Sequence, residues 1–183
     1  MKALFIFLAS VIGASAIEKP VYETLLAEGD FEVRKYEALK VVSAPMEDME
    51  QRDGSFRKLF KYISGNNAAE QKIAMTAPVF MDEGGEAGGK MSFMLPAEIA
   101  EAGAPAPDEE DLEVTEIKGG SFAVLRFKGW SNEAKQDEAT AKLKELVAAQ
   151  NLKPLGEAFF AFYDAPWKPE MFRRNEVWLR VSE

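Results

Sequence analysis

Two stretches of this chain run through the same order of elements, and that repetition restricts the fold more than any other feature. Gly29, Phe31 and Val33 stand 91 residues before Gly120, Phe122 and Val124, each set at a glycine-bearing turn between extended segments. Val21 to Ala27 and the segment from Phe31 through Val33 to Tyr36 predict a hairpin closed by Glu28-Gly29-Asp30, followed by a β-branched run from Leu39 to Ala44. Leu112 to Lys118 and Phe122 to Phe127 predict a second hairpin around Gly119-Gly120. Each hairpin is followed by a helix and then by a strand ending in Ala-Pro, at Ala77-Pro78 and at Ala165-Pro166. A β-β-α-β unit used twice cannot bury both its helix and its sheet faces alone. Two copies packed about a pseudo-twofold predict an α+β fold. Its distorted, strongly curved, antiparallel-rich and barrel-like sheet is flanked by two long helices, with a groove between helix and sheet.

The first of those helices is predicted over Ser55 to Ile63. Phe56, Leu59, Phe60 and Ile63 fall at i, i+3, i+4 and i+7, which assigns them to one face. Asp53 or Ser55 can cap its start, and Gly65 stops it. The second spans Ser131 to Gln150, with Ser131 or Asn132 as cap and Ala139, Leu143, Leu146 and Val147 as its apolar stripe. Lys72 to Met81 and Lys90 to Leu95 are predicted as an extended pair around a glycine-rich loop. Strands over Glu157 to Tyr163 and Glu176 to Val181 close the chain. Residues 97–111 are rich in Ala, Pro, Glu and Asp without periodicity, the pattern of a mobile acidic loop. The run from Gly84 to Lys90 superficially matches a phosphate-binding loop. Met91 stands where Ser or Thr would hold magnesium, and a strand follows in place of a helix, so the run is a hairpin turn.

Lys2, the apolar run Ala3 to Ile12 and the small residues Ala14-Ser15-Ala16 have the layout of a secretory signal peptide over residues 1–16, too short to span a bilayer. Residues 17–183 are then one exported domain, periplasmic or extracellular, with no stable insertion in the membrane after cleavage. The net charge of −9 becomes −10 once Lys2 is removed. So acidic a chain argues against a nucleic-acid partner, since phosphate binding needs a basic stripe. There is no cysteine and no histidine. Disulfide staples, a structural zinc site, a Ser-His-Asp triad and histidine metal ligation are all excluded. No metal site and no catalytic residue is assigned.

Carboxylates mostly occur in polar runs such as Asp108 to Asp111, the pattern of a solvated loop. Glu176 stands apart, at the entry to the last strand in Arg173-Arg174-Asn175-Glu176-Val177-Trp178. It can fix the chain end through a salt bridge, or serve as a general base beside an apolar pocket. Many Met and aromatic residues, Phe56, Phe60, Met75, Phe93 and Phe162 among them, build a core and can also line a pocket for a wide planar apolar ligand.

The stretches KLFKYISGNN (Lys58 to Asn67), KIAMTAPVFM (Lys72 to Met81) and FYDAPWKPEMFRRNEVWLRV (Phe162 to Val181) resemble the SOUL haem-binding family, in order and spacing, over nearly the whole chain after residue 16. The resemblance implies a distorted barrel-like sheet with two long helices, and haem or a related tetrapyrrole held in a hydrophobic groove beside one helix. It implies an apolar wall of Phe56, Leu59, Phe60 and Ile63. Lys58, Lys168, Arg173 and Arg174 are then candidates for the haem propionates. Some members of the family are thought to use a histidine on iron, which this chain lacks, so an axial ligand is Met, Tyr or Lys, or absent. The implied role is carrying or buffering an exchangeable haem. Two alternatives stay open: a hydrolase or other enzyme acting on a hydrophobic small molecule with Glu176 or Tyr163 as acid–base group, and an interaction protein using the acidic loop with a vestigial pocket.

Overall fold

A computed structural model describes residues 17–46, 52–82, 89–129, 132–165 and 167–182. Ten strands form a single sheet: β1 (Tyr22–Glu28), β2 (Phe31–Tyr36), β3 (Leu39–Met46), β4 (Val79–Asp82), β5 (Gly89–Met94), β6 (Glu113–Ile117), β7 (Gly120–Lys128), β8 (Lys153–Pro154), β9 (Phe159–Phe162) and β10 (Arg174–Ser182). Helices α1 (Arg52–Ile63), α2 (Ala97–Ala102) and α3 (Glu133–Ala149) complete the fold. The strand order is β1-β2-β7-β10-β9-β4-β5-β3-β6, with β8 on the end of β10. The named strands pair antiparallel throughout, and the curved sheet does not close on itself.

Two strand–helix–strand–strand runs occupy matching places in that order. β3-α1-β4-β5 brings β5 between β4 and β3, and β7-α3-β9-β10 brings β10 between β9 and β7. The strands preceding them are exchanged: β2 leads into β3 but pairs with β7, and β6 leads into β7 but pairs with β3. The residues that pointed to the repetition are therefore not in matching places. Phe31 and Val33 lie on β2, whereas Phe122 and Val124 lie on β7. Ala77-Pro78 precedes β4, while Ala165 follows β9.

The hairpin expected at Gly119-Gly120 does not form, because β6 and β7 pair with different neighbours. Gly119 is required for another reason. A Cβ there would sit 2.9 Å from both the Ala38 amide nitrogen and the Tyr36 carbonyl oxygen, so the β6–β7 connection lies directly on the β2–β3 connection. The first hairpin forms as expected, with Glu28 opposite Phe31 and Gly29 at φ 62°.

Alternation along the strands divides the sheet into two faces. Phe31, Val33, Val177 and Leu179 face α3, whose Ala139, Leu143 and Val147 are buried against them. The Asn132 Oδ1 accepts from the Lys135 amide at 3.0 Å and caps this helix. Val42, Ala44, Met91 and Phe93 face α1. On the opposite face Tyr36, Phe80, Phe122, Phe159 and Trp178 form an aromatic core, with Tyr36 stacked on Trp178 at 4.5 Å between ring centroids.

The buried stripe of α1 is Ser55, Leu59, Tyr62 and Ile63 rather than the set read from the sequence. Neither Asp53 nor Ser55 is its N-cap, since the helix already includes Arg52. Ser55 faces inward, and its hydroxyl donates to the Pro45 carbonyl at 2.7 Å. Residues 97–111 are also not a loose loop. Ala97 to Ala102 form α2, whose Ala and Glu favour helix in a segment too short to show a period. Glu18 Oε1 accepts from the Ala97 amide at 2.9 Å, and Ile99 packs into the core beneath α1. The acidic stretch beyond is tied down by Lys58–Asp111 and Lys61–Glu109 pairs and by the Tyr62 hydroxyl donating to the Pro105 carbonyl. Among the described residues no helix is long and apolar enough to cross a membrane. The expected leader 1–16 and most of the glycine-rich loop, residues 83–88, lie outside the described residues.

Candidate functional site

Rotation of α1 decides what the groove contains. With Leu59 and Tyr62 turned onto the sheet, Phe56 and Phe60 come to the flank of the helix, 39% and 51% exposed. Their rings lie nearly parallel, 12° between planes and 6.2 Å between centroids, and the Phe56 ring meets Phe93 edge-on. Beside Phe56 a cleft of about 200 Å³ opens over the helix-side face of the sheet, floored by Met81, Met91 and Phe162. Asp164 and Arg173 stand at its rim, on the two sides of the connection between β9 and β10.

That rim is an ordered polar frame. Lys168 donates to Asp164 Oδ1 at 2.6 Å, Asp164 Oδ2 accepts from the Arg174 amide at 2.6 Å, and Arg173 Nε donates to the Lys168 carbonyl at 2.8 Å. Burial alone would raise the Asp164 pKa, but the bonds from Lys168 and the Arg174 amide outweigh it and hold the carboxyl below its usual range. Between these residues Trp167, Met171 and Phe172 are exposed.

Of the expected site residues the structure places Phe56 and Arg173 on the cleft itself, joins Phe60 to it through the Phe56 ring and Lys168 through Asp164, and disperses the others. Leu59 and Ile63 are packed in the core and cannot wall a groove. Lys58 sits two positions from Phe56, so it points away from the cleft and pairs with Asp111. Arg174 belongs to the other face, where its guanidinium covers the Tyr163 ring at 4.2 Å and donates to Glu176. Met91 belongs to the Met and aromatic residues expected to build a core or line a pocket, whereas Met81 and Asp164 are additions; the strand alternation that turns Met81 to the helices is the available signal.

Glu176 is fully buried, and its carboxylate accepts from Arg34 at 3.0 and 3.1 Å, from Arg174, from the Tyr163 hydroxyl at 3.0 Å and from the Trp178 indole at 2.9 Å. Burial pulls its pKa up, yet the bonds and charges of Arg34 and Arg174 prevail and hold it below the ordinary carboxylate range. Burial and the neighbouring Glu176 charge push the Tyr163 hydroxyl upward. Ionised, saturated with donors and shut off from solvent, Glu176 lacks the properties of a general base at neutral pH. The other motif residues are structural as well. Asn67 donates to the Tyr62 and Gln71 carbonyls, Thr76 donates to the Met94 carbonyl, and Asn175 donates to the Gly129 carbonyl.

A larger recess, about 520 Å³, lies between residues 18–23, the β2–β3 connection and α2. Glu18, Lys19, Lys35 and Glu37 share its lining with apolar Tyr22, Leu39, Met94 and Leu95.

These features define an α+β protein with an open antiparallel sheet, two helices on one face and, beside the first helix, an apolar-floored cleft with charges of both signs at its rim. The chain belongs to the SOUL heme-binding protein family, whose model matches residues 17–180. It is 32% identical to "Heme-binding protein 2" of Homo sapiens over 162 residues, 82% of this chain and 78% of that relative. Its fold is similar to the crystal structure of the EcmrR C-terminal domain, at a TM-score of 0.60 and 12% identity over 89% of this chain and 99% of that one. A hydrolase from Listeria innocua matches at 0.59 and 10% identity, over 86% and 94%. At such identities these two structures are evidence for the fold alone.

Proposed function

We propose that this chain binds haem or a related tetrapyrrole without histidine ligation, as a carrier or buffer rather than an enzyme, in the cleft beside α1. The observation that carries the reading is the solvent-facing ring of Phe56 at an apolar-floored cleft, with the ring of Phe60 nearly parallel beside it. Family membership and the human relative's name support haem as the ligand class. Arg173 and Lys168 at the rim are the cations suited to propionates. The soft donors on the floor are the thioethers of Met81 and Met91, and both are buried. A cleft of about 200 Å³ is below the roughly 300–1,000 Å³ of pockets that enclose a drug-sized ligand, so the macrocycle lies partly against Phe56 and Phe60 and stays open to solvent. Affinity then rests on apolar area at about 25 cal/mol per Å² less the costs of association, which gives exchangeable binding.

Hemin added to the purified protein is expected to shift its Soret band saturably at a 1:1 ratio. Phe60→Asp should weaken that binding about tenfold or more, because a charge replaces the ring against the macrocycle. Phe60 is half exposed, so the variant keeps its fold. No saturable shift removes the reading, and unchanged affinity in Phe60→Asp moves the site away from α1.

The same proposal places the protein outside the cytoplasm, with residues 1–16 removed as a leader. The charged start, short apolar run and Ala14-Ser15-Ala16 support it, and the family match begins at residue 17. Intact mass of the exported protein should correspond to a chain beginning at Ile17. A mass that retains residues 1–16 overturns this part of the proposal.

A further inference from the structure

We propose a second binding site, for a small carboxylate or phosphoryl anion, between Arg126 of β7 and Arg174 of β10. It lies on the sheet face turned away from α1 and α3. Strand alternation separates it from the haem cleft: Asn175 turns to the cleft, while its neighbours Arg174 and Glu176 turn to the opposite face.

The argument is a count of charges and of donors. Arg34, Arg126 and Arg174 contribute three guanidinium groups to one cluster, and Glu32 and Glu176 contribute two carboxylates. Arg34 is fully buried and engaged at all three nitrogens, through Nε to Glu32, Nη1 to Tyr36 and Glu176, and Nη2 to Glu176. A carboxylate offers about four acceptor sites. Those of Glu176 are already taken by Arg34, Arg174, Tyr163 and Trp178. Arg126 therefore makes its hydrogen bond to Glu32 and only an ion-pair approach to Glu176. Its Nε, buried 3.5 Å from Glu176 Oε1, makes no hydrogen bond.

One positive charge and several N–H donors remain in excess, in a chain whose net charge is −9. The Arg126 Nε itself is shielded. A ligand would meet the outer N–H groups, since the side chains of Arg126 and Arg174 are 34% and 36% exposed on adjacent, directly paired strands. Both guanidinium groups approach Glu176 Oε1, Arg174 Nη2 at 2.6 Å and Arg126 Nε at 3.5 Å. Two such neighbours match a ligand with two or more anionic oxygens, which would balance the charge. This site does not depend on tetrapyrrole binding.

Inorganic phosphate and sodium acetate, titrated separately at an ionic strength held constant with sodium chloride, test it through the arginine Nε–Hε resonances of the ¹⁵N-labelled protein. Arg126 and Arg174 are expected to shift together and saturably. Arg180, on the same face but bonded to the Gly119 carbonyl, serves as the internal control and should not saturate. A response to acetate only assigns a carboxylate ligand, and a response to phosphate assigns a phosphoryl group. Arg126→Gln should weaken the saturation seen at Arg174 about tenfold or more. Shifts at Arg126 and Arg174 no larger than at Arg180 under either anion overturn the proposal, as does undiminished saturation at Arg174 in folded Arg126→Gln. Should that variant not fold, the wild-type comparison with Arg180 decides alone.

Discussion

Replacing Glu176 by glutamine is expected to lower stability to urea by about 3–5 kcal/mol, the range for removing one partner of a buried ion pair. The carboxylate is fully buried, accepts from two guanidinium groups, a phenol and an indole, and ties together β2, β10 and Tyr163 just beyond β9. Glutamine keeps the shape but turns one acceptor into a donor facing Arg34 or Arg174, leaving those charges uncompensated. The pH dependence follows with a definite sign. The folded pKa of Glu176 is held below its unfolded value, so its contribution is fully present above the unfolded value, roughly 4.3. It is lost as pH falls from there through the folded pKa. Wild-type stability should therefore fall steeply in that acidic window, and Glu176→Gln should show a flatter profile there. A loss below about 1 kcal/mol, with parallel pH profiles, would show that the cluster behaves like a solvated surface pair.

Leu59→Ala is expected to cost about 2–5 kcal/mol by the same measurement, while Phe60→Ala changes stability by about 0.5 kcal/mol or less. Leu59 is fully buried between α1 and the sheet, among Val42, Met91 and Phe93, so truncation leaves a cavity. The neighbouring Phe60 is half exposed, and its removal empties no space inside. For hemin the order reverses: Leu59→Ala that remains folded should bind nearly as the parent, and Phe60→Ala should bind more weakly. Equal stability losses at both positions would show that the helix is rotated relative to this description.

The rotation of α1 marks the limit of what periodicity conveys. Phe56, Leu59, Phe60 and Ile63 do share a broad stripe, but hydrophobicity ranks Phe above Ser and Tyr. The buried face was therefore drawn about one residue off, since Ser55 and Tyr62 are the ones turned inward. Each of these satisfies its hydroxyl on a distant carbonyl, Pro45 or Pro105, which no local pattern encodes. The α2 segment failed for a related reason, since six residues are too few to display a helical period and its cap comes from Glu18, 79 residues away. The motif from Arg173 to Trp178 was read as a mixture of propionate ligand and chain-end brace. The two readings part at alternate residues: Arg173 lies at the cleft, and Arg174 and Glu176 lie in the ion cluster behind the sheet.

By itself the sequence determined the α+β class, the two long helices, the first hairpin and the chemistry excluded by having neither histidine nor cysteine. These are local or compositional properties, carried by turn residues, spacing and the donor inventory. Only the tertiary structure decided which strands pair, and so that β2 joins β7 and β6 joins β3 across crossing connections at Gly119. The tertiary structure also decided which aromatic rings face solvent and which arginines share a carboxylate. Strand partners and charge clusters are set by contacts between residues far apart in the chain. Glu176 and Arg34, 142 residues apart, meet only because β2 and β10 flank the same strand, β7.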